Sequence, residues 1–303
     1  MSSATQAGER PGDLWPDHVN HSVPDLERAR DRMVALGFLV TPRSDQLAPD
    51  ADGKLVRTGM ANHCVMLGRG YIELSGAILD DTPAVRGLRD TLARHVGVHL
   101  LALGTPDPAF QAERLPQAGF APATLMNYQR LVEAADRSEQ LARFTLAFAP
   151  RELVPEARLL TVRHETPELL WQERWLGHPN GVTGLQEVVY AAADLPASVE
   201  RLSRYVGVEP QPGTIGMALP LARGRLSVLP AGQAAALFAP LPGAPCTAGY
   251  VLGTDDLDAL VQFLKARSVA LSGQGAGWLA VAGGEALGSH IYFAEPGAKL
   301  PWH

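Results

Sequence analysis

The sequence predicts an α+β fold assembled from four tandem βαβββ modules paired into two lobes. Three observations predict it. Four segments repeat one rhythm of apolar strand, Asp or Pro-Asp turn, amphipathic helix and further strands, and fixed-period repetition marks a modular fold. Asp25, Asp194 and Asp255 stand where each can cap an opening helical turn. Gly37, Gly119 and Gly207 stand where three of the helices end.

The modules follow in order. The first opens with 17–26, continues into a helix from Glu27 to Leu36, and offers strands over 62–67 and 71–75 joined by the turn Gly68-Arg-Gly70. The second opens with 96–107, has a helix over about 109–118, and offers strands near 123–131, 141–148 and 158–164. The third opens with 185–195 and has a helix over 197–206, with strands over 216–221 and 225–229 split by Arg223-Gly224. The fourth opens with 248–257 and has a helix over 258–267, with strands over 278–282 and 290–294. One βαβββ unit is a curved, open sheet that cannot close its own concave face, so units pair. Residues 13–170 are expected as one lobe and 184–303 as the other, with a Trp-, Pro- and Gly-rich junction between them.

The chain has 303 residues and 46% hydrophobic residues, enough for two cored units. A net charge of -6 with interspersed signs lacks the dense basic face of a nucleic-acid binder. Small molecules are the expected partners, with a homodimer as the protein partner. No run reaches the roughly 18 apolar residues of a membrane span, and the polar start Met1 to Pro16 has no signal-peptide core. Two distant cysteines, Cys64 and Cys246, read as small buried hydrophobes in a cytoplasmic protein.

The run His18 to Asp25 matches the opening strand of vicinal-oxygen-chelate modules. Gly59-Met-Ala-Asn62 and Tyr71-Ile-Glu-Leu74 resemble the glyoxalase-like subgroup, as do 163–171 and His178-Pro-Asn-Gly181. The resemblance implies paired modules of the glyoxalase/bleomycin-resistance/dioxygenase type and a divalent metal (Fe, Mn, Ni or Zn) in the first cup. It does not imply one reaction.

His18, Asn20 and Ser22 alternate along the first strand and share a polar face. Glu73 shares a face with Tyr71 and Ser75, and a buried carboxylate there needs a partner, either a metal or an arginine such as Arg57 or Arg130. The resemblance then makes His18, Glu73, His164 and His99 the expected metal ligands. Counting back from Asp107 puts the ligand position of module two on Leu100, so His99 joins only if the turn 104–106 absorbs one residue. Glu73 is also the expected proton shuttle. Arg130, Asn20, Asn62 and Tyr71 are expected to bind substrate, Arg130 by a bidentate contact to carboxylate or phosphate unless it is spent on a salt bridge. His21 reads as a hydrogen-bonded core residue. Trp171, Trp175 and the turn at His178 read as closing the lobe junction. The second lobe offers Glu187, Val228, Tyr250 and His290, which do not make a ligand set.

Two functions follow. One is a metalloenzyme of the glyoxalase lyase or isomerase type, or a ring-cleaving dioxygenase, in which the metal stabilises an enolate or oxyanion. The other is a metal-free small-molecule-binding or resistance protein using the same cup.

Overall fold

A computed structural model describes residues 9–50, 52, 54–149 and 154–303. The first eight residues of the polar N-terminal run lie outside the described residues. Two eight-stranded sheets carry the fold. In the first, β1 (Trp15–Ser22), α1 (Leu26–Ala35), β2 (Ser44–Pro49), β3 (Leu55–Met66) and β4 (Tyr71–Ala77) form module one. After α2 (Pro83–Leu92) come β5 (Gly97–Gly104), α3 (Pro108–Gln117), β6 (Thr124–Glu133), β7 (Glu139–Phe148) and β8 (Arg158–His164).

The second sheet repeats the plan. Module three has β9 (Val182–Ala192), α4 (Leu195–Val206), β10 (Gln211–Pro212), β11 (Met217–Pro220) and β12 (Arg225–Pro230). After α5 (Ala231–Leu237), module four has β13 (Cys246–Thr254), α6 (Leu257–Ala266), β14 (Gly273–Gly275), β15 (Trp278–Val281), α7 (Gly284–Leu287) and β16 (His290–Ala294). The strand orders β2-β3-β4-β1-β5-β8-β7-β6 and β10-β11-β12-β9-β13-β16-β15-β14 are the same order written twice. The short outer strands β2, β10 and β14 and the helix α2 have no clear sequence signal, being polar or Gly/Pro-broken.

Aspartates start all four module helices: Asp25, Asp107, Asp194 and Asp256 accept from the backbone N–H groups of Arg28, Phe110, Ala197 and Ala259. The fourth cap is Asp256, not Asp255, and that shift of one residue moves the whole fourth module. With caps aligned, the centre strands superpose, and each contains a bulge at the same place. Pro16 and His18 pair with consecutive residues of β5, leaving Asp17 extra; the residues left extra in β5, β9 and β13 are His99, Gln186 and Ala248. A β-bulge re-aims side chains and is a specified feature of a strand, and here it recurs in all four repeats.

The two faces of each sheet differ. Helix-facing side chains of both sheets share one core with the helices, including Val19, Met33, Leu115, Val188, Leu202, Tyr250 and Leu264. The concave faces keep separate clusters, one around Cys64, Met66, Tyr71 and Phe144, the other around Phe238, Tyr292 and Trp302. Among the described residues no helix is long and apolar enough to cross a membrane.

His21 joins the sheets, as its place on the helix-packed face of β1 suggests. Its Nδ1 donates to the Leu287 carbonyl at 2.8 Å, and its Nε2 lies 3.1 Å from the Tyr250 hydroxyl. Burial pushes its pKa down to about 4; the Leu287 carbonyl opposes this and His99 adds to it. An unfolded His titrates near about 6.5. The fold therefore holds His21 neutral, and its contribution is fully present above pH ~6.5 and lost as pH falls toward 4, because only the unfolded chain takes up the proton in that window. Urea unfolding should show a loss of roughly 3 kcal/mol from this group between pH 7 and 4. His21→Gln should flatten that part of the profile; parallel profiles for the two proteins would assign the acid sensitivity elsewhere.

Candidate functional site

The first cup is built on β1, β3, β4 and β6. Alternation aims His18 and Asn20 of β1, and Tyr71, Glu73 and Ser75 of β4, at the concave face; the parallel register sets His18 beside Tyr71 and Asn20 beside Glu73. The β3–β4 turn is tight because Gly70 adopts φ +77, and a Cβ there would lie 2.5 Å from the Asp17 carbonyl oxygen.

Glu73 is held from both sides. Asn20 Nδ2 donates to Oε2 at 2.7 Å and also to Ser75 Oγ at 2.7 Å, while Asn62 Nδ2 donates to Oε1. Asn62 in turn accepts at Oδ1 from Arg130 Nη1 at 2.9 Å. The carboxylate and the guanidinium are thus joined through one amide rather than paired directly. Burial disfavours the Arg130 cation, while the Glu73 carboxylate beyond Asn62 favours it, and the group stays charged. Arg57, the other arginine considered for Glu73, pairs with Asp45 at 3.2 Å instead.

His18 Nδ1–H donates to Asp17 Oδ1 at 2.7 Å, which leaves Nε2 as the acceptor facing the cup. There the Tyr71 hydroxyl lies 3.4 Å away and Glu73 Oε2 lies 3.9 Å away, and the His18 and Tyr71 rings stack at 4.2 Å. Burial drives the Tyr71 hydroxyl pKa well above its usual value, with Asp17 and Glu73 adding to it, so the phenol stays protonated. Asp17 itself has no signal in the sequence pattern, because its position alternates away from His18; the bulge brings it back. Burial pushes its carboxyl upward, but the charges and hydrogen bonds of His164 and His18 prevail and hold it well below the usual carboxylate range.

The structure brings His18 and Glu73 together and leaves the two other expected ligands apart from them. His164 lies at the end of β8, where its Nε2–H donates to Asp17 Oδ1 and Oδ2 at 3.0 and 3.1 Å, and its ring meets Trp171 edge-on at 4.8 Å. His99 is the bulge residue of β5. Its ring stacks on His95 at 3.9 Å and its Nε2 donates to the His95 carbonyl at 2.8 Å. The extra residue is absorbed by the bulge, not by the turn at 104–106, and Leu100 faces the cup. Leu100 is the module-two counterpart of His18, and Leu160, which lies beside Ala102, is that of Glu73. Two of four symmetric positions therefore carry hydrocarbon. Among the described residues no group of three His, Cys, Asp or Glu side chains is placed to hold a metal ion. The donor set does not fit a metal fully ligated by the protein.

A cavity of about 440 Å³ adjoins this network, reaching Arg130, Cys64 and Met66 at its inner end and Trp175 and Leu170 on its wall. Trp175 lines this cavity, a position not anticipated from sequence. The junction does close the lobe elsewhere: Trp171 Nε1 donates to the Leu67 carbonyl at 3.0 Å, and His178 Nε2 to the Met66 carbonyl at 2.8 Å.

The second cup has different chemistry. The counterparts of His18 and Glu73 are Glu187 and Ser227 in module three, and Gly249 and Tyr292 in module four. Val228 and Tyr250 point into the other face. Trp302 fills the cup, donating from Nε1 to Glu187 Oε1 at 2.6 Å, and His303 Nε2 lies 2.9 Å from Glu187 Oε2.

The family model of the glyoxalase-like domain matches residues 17–206, which begins at the Asp17 bulge and runs through α4. The chain belongs to this glyoxalase-like family. Its fold is that of the vicinal-oxygen-chelate superfamily. A hypothetical protein from Staphylococcus aureus superposes with a TM-score of 0.63 at 10% identity, covering 93% of this chain and 99% of that one. A mutant 4-hydroxymandelate synthase from Streptomyces coelicolor gives 0.60 at 14% identity, covering 96% and 95%. The Mn(II)-bound glyoxalase from Novosphingobium aromaticivorans gives 0.52 at 10% identity, covering 97% and 85%. No curated protein sequence matches the chain.

Proposed function

We propose that this glyoxalase-like protein binds a small molecule in its first cup, using hydrogen bonds and charge without a resident divalent ion. One observation carries the reading: the cup keeps half a ligand set. Leu100 and Leu160 stand opposite His18 and Glu73, and both Glu73 oxygens are already satisfied by Asn20 and Asn62. The Glu73 carboxyl group has amide donors on both oxygens and an arginine beyond one of them, which is what a buried carboxyl group requires. Arg130 lines the cavity, Asn62 holds it in place, and Asn20, Tyr71 and the His18 Nε2 acceptor stand behind them on the same concave face.

A second reading has its own support. His18 Nε2 and Glu73 Oε2 stand 3.9 Å apart with Asp17 backing His18, and a carboxylate behind a ligating His is the usual outer-shell arrangement. On that reading the chain is a glyoxalase-type lyase or isomerase, or a ring-cleaving dioxygenase, with the ion supplying Lewis acidity. Metal content separates the two. Protein purified without chelator and reconstituted with Fe, Mn, Ni, Co and Zn in turn should retain none stoichiometrically by mass spectrometry. About one ion per chain, lost in both His18→Ala and Glu73→Ala while circular dichroism is unchanged, would reverse the assignment.

A further inference from the structure

We propose that Arg130 is the anion-binding end of the cavity and that the ligand is a small carboxylate with an apolar body. This rests on the first cup being the ligand site. Arg130 is only 6% exposed, and among the described residues no carboxylate forms an ion pair with it. Its one oxygen partner is Asn62 Oδ1; otherwise both terminal nitrogens face only Cys64 Sγ, at 3.7 and 3.6 Å. A guanidinium has five N–H donors in a planar fork, so this one reaches the cavity with donors that have no oxygen to bind. Burial pushes the Cys64 thiol pKa up, against the pull of Arg130. The thiol is therefore neutral and does not serve as the counter-ion.

The rim does not supply one either: Glu139 lines the cavity but is exposed and forms no ion pair with Arg130. Asp45 is taken by Arg43 and Arg57, at 3.2 Å each, and Glu133 by Arg137 and Arg174, at 2.8 and 2.9 Å. The cavity lining holds four arginines against three carboxylates, so the excess charge is positive and its buried member is Arg130. A buried cation whose charge is met through an intervening amide and by the Phe144 ring 5.9 Å away, with no carboxylate, is costly, and an oxyanion placed on its fork offsets that cost with two parallel hydrogen bonds. The rest of the space decides between anions. A volume of about 440 Å³ is in the range of small organic ligands and far more than a bare inorganic ion needs. Met66, Val132, Leu170 and Trp175 give it apolar walls.

Isothermal titration with 2-naphthoate, 2-naphthamide and inorganic phosphate tests this. The amide keeps the shape and removes the charge; phosphate keeps charge and removes the apolar body. Naphthoate should bind at least about tenfold tighter than either. Arg130→Lys should lose about tenfold, keeping charge without the fork, and Arg130→Met should abolish the preference for the acid over the amide. Circular dichroism checks both variants for folding. Equal binding of acid and amide, both lost when Val132→Trp fills the cavity, would overturn the anion assignment and leave the cup as the ligand site. Binding of both that Val132→Trp does not change would overturn the cup reading itself. Phosphate binding as tight as naphthoate would overturn the carboxylate class, and no heat from any of the three at millimolar concentration would overturn the proposal.

Discussion

On the metal-free reading, Leu100→His combined with Leu160→Glu is expected to raise the retained divalent ion to about one per chain. The two leucines occupy the positions in β5 and β8 that His18 and Glu73 occupy in β1 and β4, related by the shared bulge and the shared helix cap. Placing His and Glu there completes a four-donor set around the centre of the cup. Without metal the double variant should be less stable by about 3 kcal/mol, because a Glu is then buried among Leu146, Val162 and Ala102 without a partner. With metal at about a thousand times its dissociation constant, roughly 4 kcal/mol returns. Melting curves with and without Zn or Mn, together with metal counts, measure both effects. Adding His18→Ala to the double variant should remove the metal again. A double variant that folds and binds nothing would show that the symmetric positions are not equivalent in space.

Trp302→Ala should be the most damaging single truncation in the second lobe. The ring is 1% exposed and packs at 5.3 Å from Phe238 and 5.0 Å from Tyr292. Removing a buried Trp costs about 3–5 kcal/mol through lost contacts and the cavity left behind. Glu187 then loses the donor on Oε1 while remaining buried, which adds about 1–3 kcal/mol. Trp302→Phe separates the terms: it keeps most of the packing and removes the N–H, so it should lose about 2 kcal/mol. Urea unfolding of the three proteins reads the difference directly. Equal losses for Ala and Phe would mean the hydrogen bond to Glu187 carries nearly all of the effect.

Leu300 and Trp302 give the second cup an apolar filling, so the two cups differ in kind. In the first, the polar network of Asn20, Asn62, Glu73 and Arg130 is kept and the opposite side is made of leucine. In the second, the position equivalent to His18 carries Glu187, whose carboxylate accepts from Trp302 and lies 2.9 Å from His303 Nε2 and 3.6 Å from Arg225 Nε.

The sequence by itself determined the repeated module, because strand alternation, aspartate caps and helix-ending glycines are local signals with fixed spacing. It also determined that His18 and Glu73 face one cup, since both facts need only the period of two and one parallel pairing. Three things were decided only by tertiary structure. The bulge shared by all four centre strands is set by pairing between strands distant in sequence, and it puts Asp17 beside His18 and turns His99 away from the cup. Whether Arg130 meets a carboxylate depended on where Asp45 and Glu133 found partners, and those rim contacts join segments distant in sequence, leaving Arg130 to Asn62 Oδ1 and Cys64 Sγ. The filling of the second cup by Trp302 could not be read locally, because a tryptophan some 115 residues beyond Glu187 reaches it only once β9, β12 and β16 have assembled around the space.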